Sequence, residues 1–425
     1  MKLYVKNIGK ITEAKVEIKG ITVIGGENNT GKSTVGKSLF SMFNSFYAIQ
    51  QQIREERLLS IENVLRLIYR NFYFYDSEQI KDIDDFSKEI LSKADEYRKK
   101  PELLKKEILS MFNVTSDKES FFKRTNFEDV VDRIIDILKI SDEEIFNSVV
   151  NKKINAEFNG QLLNIYSESE GIISLSVRDQ ELSVKAVEDT ISVSRSDYSL
   201  HTEAIYIDDP FVLDNVDFRR IRRRIIYADH RDQLINKLLS RRNNASVVDE
   251  IVVENRFKKI YEKLISVCDG SIVQQKNGRL AYQMKNSDRA LSVKNLSTGL
   301  KTFITLKTLL TNGTIETNGT IILDEPEIHL HPEWQLLFAE IIVLLNKEFG
   351  VNILLNTHSP YFLRAIQVYS AKYEMSDVCR YYMSEIDETG KIFIHDVTDN
   401  VDKIFAKLSK PLQKLEDERW NIDTF

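Results

Sequence analysis

The strongest constraint on the fold is the segment Gly26-Glu27-Asn28-Asn29-Thr30-Gly31-Lys32-Ser33, which matches the pattern G-x-x-x-x-G-K-[ST]. An apolar strand pattern at residues 21–24 precedes it, and a helical pattern at residues 35–46 follows it. Glycines let backbone N–H groups surround phosphate oxygens, and the N-terminus of the next helix favours an anion. The order strand, loop, helix therefore predicts an α/β fold with a phosphate-binding loop. A glycine-rich turn without a ligand is the simpler alternative, and the flanking elements disfavour it.

The residue types in this loop indicate a bound nucleotide and a metal ion. Lys32 is expected to reach the β- and γ-phosphates of ATP, and the hydroxyl of Ser33 to hold Mg²⁺. The other expected nucleotide contacts are Gly26, Asn28, Asn29, Thr30, Gly31 and Thr34. The sequence therefore predicts ATP and Mg²⁺ as cofactors.

A second segment, TIILDEPEIHLHP at residues 320–332, combines a buried strand with two carboxylates. The apolar run at residues 321–323 lacks polar alternation, as is typical of a strand covered on both faces of a parallel sheet. Asp324 and Glu325 follow it directly. Adjacent carboxylates at the tip of a buried strand are costly unless a cation or substrate uses them. The alternative is an acidic turn after a core strand.

The overall composition is that of a globular protein without an extreme charge. The chain has 425 residues, of which 42% are hydrophobic and 29% charged, and its formal net charge is −6. This charge does not by itself indicate a nucleic-acid-binding protein. Two cysteines, Cys268 and Cys379, form no CxxC pair, which disfavours a disulfide framework or a cysteine zinc site. Neither a signal peptide nor an apolar run long enough to span a membrane is evident, so a cytoplasmic protein without a membrane partner is expected.

The chain is expected to consist of a nucleotide-binding α/β domain in two parts, residues 1–47 and 156–425, interrupted by a helical insertion at residues 48–155. Within the insertion Pro101 is the only glycine or proline, and apolar residues recur at helical spacing. Its aromatic cluster at residues 69–75 is interpreted as core or partner surface, with base stacking as the alternative. Period-two patterns at residues 162–166, 172–177, 182–187 and 190–193 then predict an antiparallel meander.

A basic stretch stands out in this acidic chain between residues 217 and 242. Its densest part contains Arg219, Arg220, Arg222, Arg223 and Arg224. Contact with a nucleic-acid backbone is one interpretation. A solvated helix face or a salt-bridged subunit interface is the other, and the sequence leaves both open.

The remaining patterns predict further helices and strands in the second part of the α/β domain, residues 156–425. A long amphipathic helix is expected at residues 246–267, and the segment LSTGLK at 296–301 is expected to open a helix at 302–311. A helix at 333–347 and a strand at 351–356 follow, and the strand ends in Thr357-His358-Ser359-Pro360. A hairpin at 380–397 and a helical tail at 401–418 complete the chain.

Four motifs follow one another along the chain: the phosphate loop, LSTGLK, ILDEPE-HLHP and NTHSP. Their order resembles that of the ATPase head shared by ABC proteins, SMC proteins, RecF and the overcoming-lysogenisation-type ATPases. The resemblance covers residues 1–47 and about 200–400. It implies an ABC-type P-loop head with a mixed sheet and an antiparallel β subdomain. Ser297 and Gly299 resemble the signature loop of that family, Asp324 and Glu325 its Walker B pair, and His358 its switch histidine.

The resemblance implies a role for each matched residue. Asp324 is expected to orient Mg²⁺ through water, Glu325 to activate the attacking water, and His358 to contact the γ-phosphate. Ser297 and Gly299 are expected to act on ATP held by a second subunit, so a homodimer or higher homo-oligomer is implied.

Two features fit the resemblance less well. The glutamine loop of the family has no clear counterpart, and Gln233 and the run Gln50–Gln52 are the candidates. The pair His329 and His331 is an alternative metal site, which the lack of an evident third ligand disfavours.

The overall layout also resembles the PtuA-type ATPases of Septu and retron antiphage systems, which are partnered by an HNH nuclease. Only 67 residues follow His358, which is short for the Toprim nuclease domain of the overcoming-lysogenisation type. We therefore expect an ATPase that senses or regulates, acting with a separate nuclease effector on nucleic acid. The alternatives are a nucleotide-gated scaffold with little turnover and a RecF-like DNA-repair ATPase. A transporter subunit is disfavoured by the large insertion and by HLHP after the carboxylate pair.

Overall fold

The computed structural model describes residues 1–72, 77–112, 126–167, 169–188, 190–194, 198–216, 227–239, 258–275 and 279–423. Their contacts divide them into two compact units. The first, called the head below, comprises Met1–Tyr47 and Asn151–Phe425, and the second, the helical unit, is Ala48–Val150. The expected fold class, an α/β head with a mixed sheet interrupted by helices, is confirmed.

One half of the main sheet of the head is parallel. Its strands, in spatial order, are β7 (Ala204–Ile207), β11 (Thr320–Asp324), β12 (Asn352–Thr357), β3 (Ile21–Gly26) and β13 (Cys379–Ile386). The residues of β3 and β7 are all buried, as expected for strands covered on both faces. Because these strands run in one direction, the residues that follow them meet at a single edge of the sheet.

The other half of the sheet is largely antiparallel. Continuing from β13, the order is β14 (Ile392–Asp396), β2 (Ile11–Glu17), β1 (Lys2–Ile8), β4 (Gly171–Val177), β5 (Gln180–Val187) and β6 (Thr190–Val193). Only β14 and β2 pair in parallel there. The expected meander thus exists as β4, β5 and β6, and it extends the main sheet through β1.

Helices and a small sheet complete the head. The helices are α1 (Lys32–Phe46), α7 (Asp142–Phe158, which begins in the helical unit), α8 (His230–Leu239), α9 (258–265), α10 (Thr298–Thr311), α11 (Pro332–Phe349), α12 (Pro360–Lys372) and α13 (Asp402–Asp423). A three-stranded antiparallel sheet contains β8 (Ser271–Gln274), β9 (Leu280–Gln283) and β10 (Ala290–Ser292). The main core packs α10, α11 and α12 against one face of the parallel strands.

The helical unit has its own apolar core. It contains α2 (Ile49–Phe72), α3 (Ser77–Ser92), α4 (Ala94–Lys99), α5 (Pro101–Met111) and α6 (Phe127–Lys139). Pro101 occupies the first turn of α5, where its missing N–H costs nothing. Ile61, Leu65, Ile90, Leu104 and Ile134 are fully buried in this core. The helical periodicity of the insertion therefore reflects one packed cluster.

The segment 162–166, expected to be a strand, is not one. Leu163 makes only an isolated bridge to Ile8. The side chain of Asn164 accepts a hydrogen bond from the backbone N–H of Tyr166 at 3.0 Å. Such a local bond turns the chain and takes it out of the extended conformation.

Some other expectations shift or fall outside the described residues. Helix α10 begins at Thr298, not at 302, and Ser297 occupies its N-cap position without a side-chain capping hydrogen bond. Of the helix expected at 246–267, residues 258–265 are helical and 246–257 lie outside the described chain. The arginines at 219–224 and the side chains of the aromatic cluster at 69–75 also lie outside it. Within the described chain, no helix combines the length and apolarity that crossing a bilayer requires.

Candidate nucleotide-binding site

The phosphate loop connects β3 to α1 at the edge where the parallel strands end. Gly31 lies just before α1 with a φ of 79°. A Cβ atom on Gly31 would lie 2.8 Å from the side chain of Ile11, and one on Gly26 would lie 2.7 Å from the backbone oxygen of Ser384. Both glycines of the motif are therefore required by close packing. The first turn of α1 contains no acidic residue, which leaves its N–H groups favourable to an anion.

The polar residues of the loop are held in two ways. The hydroxyl of Thr30 donates to the backbone oxygen of Glu27 at 2.8 Å. The side-chain oxygen of Asn29 accepts from Lys10 at 2.7 Å. Asn28 and Ser33 are exposed, whereas Thr30 is buried. Thr30 thus shapes the loop, and Asn28 and Ser33 are accessible to a ligand.

Lys32 is the buried cation of the loop, with 3% of its surface exposed. Its Nζ donates to the backbone oxygens of Glu27 at 2.6 Å and Gly26 at 3.3 Å. Burial lowers the pKa of Lys32 to about 8, although the carboxylates of Glu325 and Asp324 act in the opposite direction. The ammonium group therefore lies against the loop backbone, next to any phosphate held there.

Asp324 ends β11 with both carboxylate oxygens in hydrogen bonds. The hydroxyl of Tyr206 on β7 donates to Oδ2 at 2.9 Å, and the amide of Asn356 on β12 donates to Oδ1 at 2.8 Å. Tyr206 also lies 3.4 Å from the backbone oxygen of Ser33. A carboxylate oriented by its neighbours beside an accessible serine hydroxyl supplies the oxygen donors that Mg²⁺ prefers. The residues present thus fit a Mg²⁺ ion.

Glu325 and His358 form a contact between the ends of β11 and β12. Nε2 of His358 contacts Oε1 of Glu325, and Nδ1 lies 3.4 Å from Nζ of Lys32. Because an ammonium group only donates, this arrangement assigns the ring proton to Nε2. The hydrogen bond from His358 lowers the pKa of Glu325 despite partial burial. Lys32, His358 and Glu325 therefore form one connected chain of polar groups.

Glu327 is a site residue that the sequence reasoning missed. Its side chain is 3% exposed. Its Oε1 accepts from the hydroxyl of Thr357 and, at 3.2 Å, from the backbone N–H of His358. Burial raises the pKa of Glu327, and the Thr357 hydrogen bond offsets this only in part. The third acidic position in the segment DEPE was the signal that could have found it.

The residues of the LSTGLK segment differ in exposure. Ser297 is exposed at the N-terminus of α10, whereas Gly299 is buried within its own chain. A Cβ atom on Gly299 would lie 2.9 Å from the backbone oxygen of His329 and 3.2 Å from the ring of Trp334. Lys301 is buried in an ion pair with Asp214 at 2.8 Å. In the segment, Ser297 is thus the side chain available to a ligand outside the chain.

The candidates for the glutamine loop and for a histidine metal pair have other surroundings. Gln233 is 3.5 Å from a carboxylate oxygen of Glu203, at the opposite end of β7 from the phosphate loop. Gln50–Gln52 lie in α2 of the helical unit. His329 packs edge-on against the ring of Phe211. Across the described part of the chain, no group of three His, Cys, Asp or Glu residues has the geometry of a metal site.

A buried cluster behind Tyr206 is a second feature that the sequence did not reveal. His230, at the start of α8, lies between the carboxylates of Glu157 and Asp208 and stacks on the ring of Tyr206. These residues border a cleft of about 400 Å³ that Ser33, Asp324 and Glu325 also line. The three residues Glu157, His230 and Asp208 are called the histidine cluster below.

Several solved structures are similar to this chain at low sequence identity. The SMC head domain from Thermotoga maritima is 11% identical with a TM-score of 0.37, covering 93% of this chain and 98% of that one. An SmcHead bound to the C-winged helix domain of ScpA is 10% identical with a TM-score of 0.42, covering 93% and 96%. A Smc head domain with an extended coiled coil bound to the C-terminal domain of ScpA, from Pyrococcus furiosus, is 11% identical with a TM-score of 0.34, covering 98% of both.

The family assignment rests on a match to the sequence itself. The family described as AAA ATPase domain matches residues 1–363, which include the phosphate loop, the carboxylate pair and His358. Members of this family generally hydrolyse ATP with Mg²⁺. Because the match covers far more than half of the 425 residues, the chain belongs to the AAA ATPase domain family.

Proposed function

We propose that this chain binds ATP together with Mg²⁺ and hydrolyses the ATP to ADP and phosphate. The observation that carries the proposal is the connected set of polar groups at the ends of β3, β11 and β12. Lys32 contacts the phosphate loop and lies 3.4 Å from His358, which contacts Glu325. A cation, a carboxylate and an imidazole converging beside a phosphate-binding loop suit phosphoryl transfer to water.

Each residue has a role that follows from its contacts. Lys32 neutralises charge on the β- and γ-phosphates, and backbone N–H groups of the loop hold the phosphate oxygens. Asp324 and Ser33 supply oxygen donors for Mg²⁺, which when bound withdraws charge from the phosphates. Glu325 orients and deprotonates the attacking water, and His358 contacts the γ-phosphate. Most of the rate enhancement then comes from positioning and charge stabilisation.

Substitution of Glu325 tests hydrolysis separately from binding. Glu325→Gln keeps the shape of the side chain and removes its negative charge. We expect ATP affinity to be retained and turnover to fall about 100- to 10,000-fold, the usual contribution of a general base. Phosphate release and nucleotide affinity are measured together, with Glu181→Gln, an exposed site on β5, as the control. Wild-type turnover by Glu325→Gln would assign water activation to another residue.

Slow, regulatory turnover is the second candidate, and one observation favours it. The hydrogen bond from His358 lowers the pKa of Glu325, and a carboxylate of lower pKa is a weaker base. On this view the chain is a nucleotide-gated oligomer with little turnover. Single-turnover and steady-state rates of the wild type distinguish the two, because a gated scaffold hydrolyses bound ATP once and then releases product slowly.

We also propose that the ATPase acts as a dimer or higher oligomer and regulates a separate nuclease effector in antiphage defence. The support is the order of the four motifs and their resemblance to the PtuA-type ATPases. Ser297 is exposed at the N-terminus of its helix, as contact with a second subunit would require. Contact of nucleic acid with Arg219, Arg220, Arg222, Arg223 and Arg224 remains a prediction from the sequence. Copurification of the neighbouring gene product with and without ATP tests the effector, and recovery of a permease would contradict it.

A further inference from the structure

Tyr206 contacts both predicted metal-binding residues, Asp324 and Ser33. Its side chain is 1% exposed. Its hydroxyl donates to Oδ2 of Asp324 at 2.9 Å and lies 3.4 Å from the backbone oxygen of Ser33. The hydrogen bond from this hydroxyl therefore fixes which way the Asp324 carboxylate faces.

The ring of Tyr206 is fixed in turn by the imidazole of His230. The two ring centroids are 4.4 Å apart with an interplanar angle of 26°, which is a stacked arrangement. Phe40 on α1 packs against both rings at about 6 Å, at 58° to Tyr206 and edge-on to His230. Rotation of the Tyr206 ring would therefore require both neighbours to move.

Two carboxylates hold His230 in that position. Oε1 of Glu157 lies 2.7 Å from Nδ1, and Oε2 of Glu157 accepts from the backbone N–H of His230 at 3.0 Å. Oδ2 of Asp208 lies 3.0 Å from Nε2 and also accepts from Arg231 at 2.6 Å and 2.8 Å. Nδ1 of the ring thus has a hydrogen bond to Glu157, whereas Nε2 makes a close charge contact with Asp208 without a hydrogen bond.

The charges of the histidine cluster agree with this geometry. Burial disfavours a charged imidazole, but Asp208 and Glu157 overcome it and raise the pKa of His230 to about 9. Burial raises the pKa of Asp208, but His230 and Arg231 more than compensate and lower it to about 2. A buried ion cluster is seldom more stabilising than apolar residues of the same volume, so global stability is a weak reason for its presence. The stacked contact between His230 and Tyr206 instead indicates that the cluster orients a neighbouring group.

We propose that Tyr206 is a positioning residue for the metal-facing carboxylate of Asp324, and that the histidine cluster keeps the Tyr206 ring in place. This inference rests on the proposed binding of Mg²⁺ with ATP. Partners that orient a metal-ligating group typically change metal affinity or activity about 10- to 100-fold when removed. The histidine cluster and Tyr206 should therefore affect the metal ion more than the nucleotide.

Tyr206→Phe is the direct test, because it removes only the hydroxyl and retains the stacked ring. Mn²⁺ binding in the presence of ADP, followed by electron paramagnetic resonance, reports the metal site without hydrolysis. We expect about 10- to 100-fold weaker Mn²⁺ binding and a similar rise in the Mg²⁺ concentration for half-maximal hydrolysis. Nucleotide affinity without divalent ions should not change.

Tyr373→Phe is the matched control. The hydroxyl of Tyr373 donates to a largely buried carboxylate, Glu340, at 2.6 Å, and neither residue lines the cleft. A general loss of a buried tyrosine–carboxylate bond would therefore affect both variants equally. Unchanged Mn²⁺ affinity in folded Tyr206→Phe, or an equal loss in Tyr373→Phe, would overturn the inference. A wild type that binds nucleotide but no Mn²⁺ would overturn the proposed function instead.

His230→Gln tests the part played by the histidine cluster. Removing the imidazole should weaken Mn²⁺ binding in the same direction as Tyr206→Phe. If His230 acts through Tyr206, the double variant should lose less than the product of the two single losses. Multiplicative losses would show that His230 does not act through Tyr206, and unchanged Mn²⁺ binding in His230→Gln would contradict its role. Should His230→Gln fail to fold, Arg231→Gln, which removes both hydrogen bonds of the guanidinium group to Asp208, takes its place with the same expectations.

Discussion

Glu325 has a backbone conformation that non-glycine residues seldom adopt. Its φ is 51°, and its backbone N–H donates to the oxygen of Asn356 on β12 at 3.0 Å. Such conformations typically cost about 1–3 kcal/mol and persist where surrounding contacts enforce them. Here the cross-strand bond and the contact with His358 do so. The proposed catalytic carboxylate is thus held in one orientation by both its backbone and its side chain.

Removal of the buried cation should weaken ATP binding. Lys32→Ala deletes an ammonium group whose hydrogen bonds to a charged partner are worth about 1.5–3 kcal/mol. We expect about 10- to 100-fold weaker ATP binding in calorimetric titration, with the fold retained by circular dichroism. Lys347→Ala, on the exposed surface of α11, is the control and should bind ATP as the wild type does. Equal affinities for Lys32→Ala and wild type would refute the phosphate-loop assignment.

Glu327 should act by holding the segment that contains His358. The side-chain oxygen of a glutamine can accept the same two hydrogen bonds from Thr357 and His358, so we expect Glu327→Gln to stay close to wild-type activity. Glu327→Ala leaves the donors of Thr357 and His358 unpaired, at a cost of about 1–3 kcal/mol. Its kcat should fall about 10- to 100-fold at an unchanged KM for ATP. Steady-state kinetics of both variants test this prediction. Equal impairment of Glu327→Gln and Glu327→Ala would show that the negative charge of Glu327 matters more than its hydrogen bonds to the His358 segment.

At the scale of elements, four parallel strands concentrate the chemistry at one edge of the sheet. β3 ends in the phosphate loop, β11 in Asp324 and β12 in Thr357, next to His358. β7 lies beside β11 and contributes Tyr206. Gly299 brings the first turn of α10 against the backbone oxygen of His329. The signature segment and the loop after the carboxylate pair are therefore in direct contact and would have to move together.

Glu340 on α11 connects this helix to α9 and α12, and the stabilisation from its ion pairs should depend on pH. Its carboxylate accepts from Lys263 at 2.5 Å, Lys372 at 2.9 Å and Tyr373 at 2.6 Å. Burial alone would raise the pKa of Glu340, but these donors lower it to about 2. A depressed pKa means that the stabilisation is present above the ordinary glutamate pKa and is lost as pH falls below it.

Glu340→Gln should therefore destabilise the protein at neutral pH and matter less in acid. We expect a loss of about 1–3 kcal/mol in the free energy of unfolding at pH 7. The difference from wild type should begin to close below about pH 5. Urea unfolding at pH 7, 5 and 4 measures this, with Glu181→Gln as the exposed control. A difference that is constant over this range would show that the ion pairs do not contribute.

At the scale of the whole molecule, one chain carries one phosphate loop and one signature segment. If Ser297 completes the ATP site of a second subunit, two defective variants should complement each other. Lys32→Ala impairs nucleotide binding, and Ser297→Arg should block closure over the ATP of the partner. In a mixed dimer one site carries both lesions and the other neither.

Mixing the two variants in equal amounts should restore hydrolysis. Half of the dimers would be mixed and each would have one intact site, so about a quarter of the wild-type rate is expected. If both sites of a dimer must be intact before either hydrolyses ATP, mixing will restore no activity. A disulfide crosslink between Ser297→Cys and Asn28→Cys then tests whether the two residues meet across subunits. Both native cysteines are buried and should not interfere. A crosslink that forms only within one chain would contradict the shared site.

The sequence by itself determined the local parts of this protein. The spacing of Gly26, Gly31 and Lys32 defines the loop because a tight phosphate-binding turn depends on neighbouring backbone conformations. The apolar run at 321–323 predicted β11 because a strand buried on both faces has no polar alternation. The helical periodicity of the insertion likewise predicted its helices. In the head, α10 begins four residues earlier than expected.

The tertiary structure alone decided which distant residues meet. Tyr206 reaches Asp324 across 118 positions in the chain, and His230 meets Glu157 across 73. No local pattern encodes these contacts, because they depend on β7 pairing with β11 and on α8 packing beside it. The segment 162–166 is not a strand for a local reason, because Asn164 accepts a hydrogen bond from the N–H of Tyr166 and turns the chain there. Loops and strand ends can be recognised from sequence, whereas the orientation of their carboxylates is set by long-range packing.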